Sequence, residues 1–239
     1  MANIQTYARP LRLYRYRSLR SRVVGGERRI DPAALNRELE AIENRYIFCP
    51  QFIDMNDPME GLYRASGRVR GRADYHELQA LLFGEKVQTG IASLCESWDN
   101  ELMWAHYADE FRGICVGYSF DKLLHGLPES CALSRIAYGD KPYHLHSAAF
   151  RQQDRARAIL STKSLRWSYE REWRLFAEHT GPTHYDSDAV SSVYLGARMA
   201  DEDRRLVRRR LELIGVAMRD TLIEGFTVKR SARLKSAEN

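Results

Sequence analysis

Residues 113–120 read GICVGYSF, an uninterrupted run of small, β-branched and aromatic side chains that carries no charge. A strand with one wet face alternates apolar and polar residues, whereas a strand apolar almost throughout is covered on both sides. This run therefore predicts a central strand, and the rest of the chain is read outward from it. Just upstream, residues 100–109 (NELMWAHYAD) predict a helix with Asn100 as its cap, closed by Gly113 after a turn. Further upstream, IASLC (91–95) and YIFC (46–49, stopped by Pro50) predict strands. LRLYRYRSL (11–19) alternates, with Leu11, Leu13 and the tyrosines as its candidates for burial. Downstream, WSYEREWRLFAE (167–178), AVSSVYLGA (189–197), VAMRD (216–220) and TLIEGFTVKR (221–230) read as strands.

Helices fill the gaps at irregular intervals. Asp31 caps a helix with Pro32 at its first position, and Leu35, Leu39, Ile42 and Tyr46 recur at helical spacing. A second helix is predicted from Asp74 to Phe83, with Glu77 completing a capping box and Gly84 ending it. A third covers Ala148 to Ser161, and a basic one Asp201 to Ile214. FIDMNDPMEG (52–61) is a loop punctuated by Asn56-Asp57-Pro58. Strands outnumber clean βαβ units, which predicts an α+β fold with a mixed or antiparallel sheet flanked by helices. No repeat, low-complexity tract or linker is visible. A single domain over 1–239 is expected, with its core at about 11–230 and a short basic tail from Lys229 to Lys235.

Composition narrows the setting. No stretch approaches the ~18 consecutive apolar residues of a membrane span, and no apolar run follows the basic residues near the N-terminus, so no secretory signal is expected. Cys49, Cys95, Cys115 and Cys131 are scattered with no C-x-x-C pair, and three of them lie in apolar runs. That pattern predicts free buried thiols in a reducing cytoplasm. The formal net charge of +5 suits a polyanionic partner, nucleic acid or a dinucleotide, and equally a well-solvated surface.

The usual cofactor signatures are missing: no G-x-G-x-x-G opening a helix, no G-x-x-x-x-G-K-[ST], no H-E-x-x-H and no G-x-S-x-G. The densest chemistry lies in Tyr169-Glu170-Arg171-Glu172-Trp173-Arg174. On a strand, Glu170, Glu172 and Arg174 would share one face, with same-face neighbours about 7 Å apart. Two carboxylates so placed suit chemistry at an anomeric carbon, one stabilising an oxocarbenium ion and the other orienting the acceptor. The plainer alternative is a solvated face laced with Glu–Arg pairs. In residues 93–107, Met103, Trp104 and Tyr107 form an apolar stripe, with His106 to one side as an acid–base or binding candidate. In Tyr14-Arg15-Tyr16-Arg17 the guanidinium forks suit pyrophosphate and the tyrosines suit a stacked ring, although β-propensity alone explains the run. His144 and His146 are spaced to share a strand face, but no third ligand stands near them, and no metal is predicted.

Together the stretches LYRYRSL, IFCPQFIDMNDPMEG, SLCESWDNELMWAHYADEFRGICVGYSF, RIAYGDKPY, KSLRWSYEREWRLF and VYLGARMADEDRR resemble the bacterial domain-of-unknown-function family 2971, in the family's order and over roughly residues 11 to 210. The chain also resembles, more distantly, the ADP-ribosyltransferases that use an Arg, a Ser-containing strand and a Glu-x-Glu motif in that order. That resemblance implies an ADP-ribosyltransferase-like fold, NAD as substrate and a role as a bacterial toxin or phage-defence effector. By the same analogy Arg17 or Arg15 would hold NAD phosphate or ribose, and Ser93 or Ser97 would order the ribose pocket. Glu172 would contact the 2′-hydroxyl and stabilise the cationic transition state, while Glu170 would orient the acceptor. Ser93-Leu94-Cys95 departs from the expected hydroxyl–apolar–hydroxyl pattern by a thiol. The enzyme reading groups Arg17, Trp104, His106, Tyr107, Glu170, Glu172 and Arg174 as site residues, with Tyr14, Arg15 and Ser97 as further NAD contacts. The competing readings are a nucleic-acid-binding or nucleic-acid-processing protein using Arg204 to Arg210 and the interleaved Tyr/Arg strand, and a non-catalytic ligand-sensing module with the aromatic segments as core.

Overall fold

The uncharged run at 113–120 forms strand Ile114–Ser119, flanked on both edges by antiparallel partners, Arg12–Arg17 and Val190–Leu195. Its first five residues are all buried, as apolar composition on both faces requires. Gly117 stands opposite Tyr14, and a Cβ there would press on the Tyr14 ring at 3.1 Å. The missing side chain is what seats that aromatic. The computed structural model describes residues 9–146 and 152–231, and they divide into two units with an α+β, mixed-sheet architecture.

The first unit comprises Met1–Arg45, Cys95–Gly126 and Asp186–Asn239. Its strands run Thr227–Arg230, Met218–Glu224, Val190–Leu195, Ile114–Ser119, Arg12–Arg17 in spatial order. Val190–Leu195 and Met218–Glu224 are parallel and the other neighbours antiparallel. Helix Pro32–Glu43 starts as expected: the Asp31 carboxylate accepts from the Ala33 N–H, and Leu35, Leu39 and Ile42 are buried. Tyr46, which carries on the helical spacing but also opens the YIFC run, begins strand Tyr46–Cys49 in the other unit, as the strand reading of that run expected. Helix Glu101–Tyr107 is capped by Asn100, whose side-chain oxygen accepts from Leu102 and Met103. It is followed by three non-glycine residues at positive φ, Asp109, Glu110 and Phe111. The turn closes tightly: a Cβ at Gly113 would fall inside the envelopes of the Arg17 and Ala108 carbonyl oxygens.

The second unit comprises Tyr46–Leu94 and Leu127–Tyr185. Strand Glu172–Ala177 lies between Gly90–Cys95 and Ala132–Arg135, antiparallel to the latter, with all six of its residues buried. Phe52, Ile91, Leu160 and Phe176 form one core cluster, and Val69, Leu78, Leu82, Leu145 and Ile159 a second. Two-stranded ladders pair Tyr143–Leu145 with Tyr63–Ala65, Thr162–Ser164 with Ala137–Gly139, and Gly181–His184 with Tyr46–Cys49.

Several expectations are corrected. Leu11 is 89% exposed and only Leu13 and the tyrosines of that strand are buried. The segments 216–220 and 221–230 form one strand, Met218–Glu224, and its hairpin partner Thr227–Arg230. The helix expected to end at Gly84 runs on as Tyr75–Gln88, because Leu78, Leu82 and Lys86 keep one face buried across the glycine. Asp74 makes no capping bond; its carboxylate is taken by Arg72. The early part of the helix expected from Ala148 lies outside the described residues; the described helix is Gln152–Leu160.

The two glycines Gly113 and Gly84 should respond oppositely to alanine. Gly113→Ala is expected to lower stability by more than about 2 kcal/mol through overpacking against backbone. Gly84, inside a helix with nothing within 4 Å of a built Cβ, should gain about 0.5–1 kcal/mol as Ala. Urea unfolding midpoints of the two variants check this.

Candidate functional site

The Glu-x-Glu segment does not lie on one strand. Leu165–Glu170 is a 3-10 helix, Arg171 sits at φ 46° in the left-handed region, and the strand begins at Glu172. That turn brings Glu170 and Glu172 round onto a single cation. Lys163 Nζ donates to Glu170 Oε2 at 2.6 Å and to Glu172 Oε2 at 3.2 Å, and lies 4.7 Å from the centre of the Trp167 ring. From Glu172 onward alternation holds, so Glu172, Arg174 and Phe176 share a face.

Arg174, with 0% exposure, organises the rest. Its Nε donates to Glu172 Oε1 at 2.8 Å, and its two terminal nitrogens form a fork on Glu60 at 2.6 and 2.8 Å. It also donates to the Leu160 carbonyl, where helix Gln152–Leu160 ends. Glu60 arrives through a tight turn: Asp57 accepts from Met59 N with its side chain and from Glu60 N with its carbonyl. Gly61 follows at φ +71°, and its carbonyl is held by buried Lys86, whose ammonium lies 5.0 Å from the Phe52 ring centre. From the neighbouring strand, Ser93 Oγ donates to Glu172 Oε1 at 2.6 Å, and the Glu172 N–H donates to Tyr138 Oη at 2.8 Å.

The cluster is thus Glu60, Ser93, Tyr138, Lys163, Glu170, Glu172 and Arg174, all within the second unit. Three carboxylates face two cations, so with all five ionised the formal sum is −1. Glu170 is 4% and Glu172 2% exposed, which corrects the picture of a solvated face. Burial alone would push the Glu172 pKa up. The Arg174 guanidinium and Lys163 ammonium, with the Arg174 and Ser93 hydrogen bonds, outweigh it and hold the group at about 2. Burial lowers the Lys163 pKa, but Glu172 and Glu170 more than offset this and leave it raised. The Tyr138 pKa is pushed up by burial first, and the phenol keeps its proton.

Four of the stretches singled out in the sequence meet here: NDPMEG supplies Glu60, SLCESW supplies Ser93, RIAYGDKPY supplies Tyr138, and KSLRWSYEREWRLF the other four. Glu60, Lys163 and Tyr138 were not recognised as candidates. Each stands among other polar residues, where nothing local marks it, and its partners are 7 to 114 positions away.

The remaining catalytic and NAD-binding candidates lie in the first unit. Arg17 is engaged by Glu38 through two bonds at 2.8 and 2.6 Å. Arg15 is half-buried on the same strand. Tyr14 is buried edge-on against Tyr194, its pKa raised by that burial to about 12. Trp104 is fully buried, with the Tyr16 ring edge-on at 5.2 Å. His106 is exposed and Tyr107 half-buried, their rings 6.3 Å apart. The Ser97 carbonyl accepts from Tyr16 Oη, and its hydroxyl bonds Asp99. On helix Asp201–Leu213, Val207 and Leu211 are buried and Arg205 and Arg209 exposed; Arg204 and Arg208 are tied to Asp220. The His144 and His146 rings are 4.0 Å apart, and among the described residues no group of three or more potential metal ligands occurs. No helix among them is long and apolar enough to cross a membrane, and the four cysteines are free.

Residues 103–175, under a third of the chain, match the model of a family described as protein of unknown function (DUF2971). The match holds five of the seven cluster residues; Glu60 and Ser93 lie outside it. No curated protein and no solved structure gives a significant match.

Arg174→Met should cost about 3–5 kcal/mol, because Glu60 and Glu172 lose their shared cation inside the protein. Adding Glu60→Gln and Glu172→Gln to that variant should recover much of the loss, read from chemical denaturation. The folded pKa of Glu172, about 2, lies below its ordinary value of 4.5. Its ionised form therefore contributes stability that is complete above pH ~4.5 and lost as pH falls toward 2. Glu172→Gln should flatten the fall in stability across that window.

Proposed function

We propose that the chain is an NAD-consuming enzyme of the ADP-ribosyltransferase or glycohydrolase type, with Glu172 as its reacting carboxylate. The observation that carries the reading is the 2.6 Å bond from Ser93 Oγ to Glu172 Oε1 across neighbouring strands. It joins a Ser-bearing strand to the second carboxylate of a Glu-x-Glu segment. The depressed pKa keeps Glu172 anionic, and the formal −1 of the cluster suits a cationic transition state. In the reaction, the bond from C1′ of the ribose to the nicotinamide nitrogen breaks, and its electron pair leaves with nicotinamide. Glu172 stabilises the oxocarbenium ion and holds the 2′-hydroxyl. An acceptor hydroxyl or water then adds to C1′, its proton passing to Glu170. Lys163, which fills the space between the two carboxylates, must withdraw for substrate to enter.

A second reading, a non-catalytic ligand-sensing module, is favoured by a specific observation. Glu60, Lys163, Glu170, Glu172 and Arg174 are all buried and all ion-paired within the cluster. A network so closed can serve packing alone.

Nicotinamide release from NAD by purified protein, beside a Glu172→Gln variant, separates the two. The enzyme reading expects release that falls by at least about a hundredfold in a folded variant. No release with water, protein or nucleic-acid acceptors, together with no NAD binding by calorimetry, would overturn it in favour of the second reading.

A further inference from the structure

Strand Tyr143–Leu145 belongs to the second unit and supplies no residue of the buried cluster. Side chains alternate along a strand, and here the alternation is fixed from the inside. Leu145 is 1% exposed, in a core formed with Val69, Leu78, Leu82 and Ile159, and Tyr143 packs against the same core. His144 and, just past the end of the strand, His146 are thereby turned outward, and both are exposed. The backbone that carries them is pinned along its length. It runs parallel to Tyr63–Ala65, and Ser66 donates its N–H to the Leu145 carbonyl at 3.0 Å and, more weakly, its hydroxyl to the His146 carbonyl at 3.5 Å.

The two imidazole rings lie 4.0 Å apart, inclined at 57°. Of the seven histidines, no other pair among the described residues has its rings in contact. Neither ring has a hydrogen-bond or ion-pair partner among those residues, whereas His125 Nδ1 lies 2.7 Å from the Asp121 carbonyl. The contact adds nothing to the core, which Tyr143 and Leu145 already supply. To share one ion, a nitrogen from each ring must stand about 3 Å from the other, given two bonds of ~2.0–2.1 Å meeting near a right or tetrahedral angle. With the ring centres at 4.0 Å, rotation about the side-chain torsions of two exposed residues achieves this. The backbone does not have to move.

We propose that His144 and His146 chelate one late first-row divalent cation, Cu²⁺, Ni²⁺ or Zn²⁺, with water completing its coordination. Imidazole nitrogen suits these ions, whereas Mg²⁺ and Ca²⁺ take oxygen ligands. Arg64, the partner of His144 on the parallel strand and likewise exposed, puts a positive charge on the same face. A cation held by charge alone is repelled there; one held by coordination bonds from nitrogen tolerates it. Two protein ligands make an open site, since no group of three potential metal ligands occurs among the described residues. What the spacing in the sequence does not provide, the folded chain does: two rings in contact over a pinned backbone. The site uses no residue of the NAD reading and stands or falls without it.

Calorimetry of the intact chain with nickel chloride, at neutral pH in a non-coordinating buffer, tests this. Ni²⁺ is the probe because it does not oxidise the four free thiols. A saturable one-to-one isotherm is expected, with no heat of binding from magnesium chloride. His144→Gln and His146→Gln should each weaken binding at least about tenfold, because the second ligand on the same strand acts at a high effective concentration that a lone imidazole lacks. His76→Gln and His179→Gln, at exposed positions with no imidazole in contact, should leave the affinity unchanged. All four side chains are on the surface, so the variants fold as the wild type does. Absence of saturable Ni²⁺ heat, wild-type affinity in His144→Gln or His146→Gln, or an equal loss in His76→Gln or His179→Gln overturns the proposal.

Discussion

A guanidinium with no solvent contact is tolerable only if every face of it is answered, and the second unit is built around answering one. Arg174 is met by a carboxylate from the Asn56–Gly61 turn, a carboxylate two residues earlier on its own strand, and the last carbonyl of a helix. Removing an ion from water costs several kcal/mol before compensation. These segments therefore cannot drift independently: the turn must present Glu60, and the helix must stop at Leu160. Ser93, Lys163 and Glu170 then follow from what Glu172 requires once Arg174 has taken its share. Whatever chemistry the cluster performs, it shares its atoms with the packing of the unit.

Much of the fold was legible because its signals are local. The uncharged run at 113–120, the Asp31 and Asn100 caps and the Val190–Leu195 strand depend on neighbours a few residues away. Three misreadings have physical causes. Gly84 is a weak stop signal, and the burial of Leu78, Leu82 and Lys86 on one face outweighs it. Asp74 resembles a cap but has a nearer partner in Arg72. Glu170 reads as strand because the alternation of Glu-Arg-Glu-Trp-Arg is good, and nothing local announces a left-handed residue at 171.

The candidate site was legible by half. Glu170, Glu172 and Arg174 stand out as a dense charged run, and Ser93 by analogy. Their burial does not stand out, since charges normally mark a wet face. Only long-range partners make the burial affordable, and a pairing such as Glu60 with Arg174 leaves no trace in either neighbourhood. The converse error is Arg17, whose strand position suggests a phosphate ligand and whose guanidinium is spent on Glu38.

Arg171 sits between the two carboxylates with its side chain in solvent, yet its backbone adopts a conformation that costs an L-residue roughly 1–2 kcal/mol. That conformation is what lets the residues on either side converge on one ammonium. The position is therefore constrained through φ and ψ rather than through any contact its side chain makes. Accessibility, the usual guide to where a sequence is free to drift, misleads at this point: the outermost residue of the segment has as narrow a choice as the innermost. Drift at 171 should run toward Gly, Asn and Asp, the residues that accept such a backbone most readily, and away from β-branched side chains and proline.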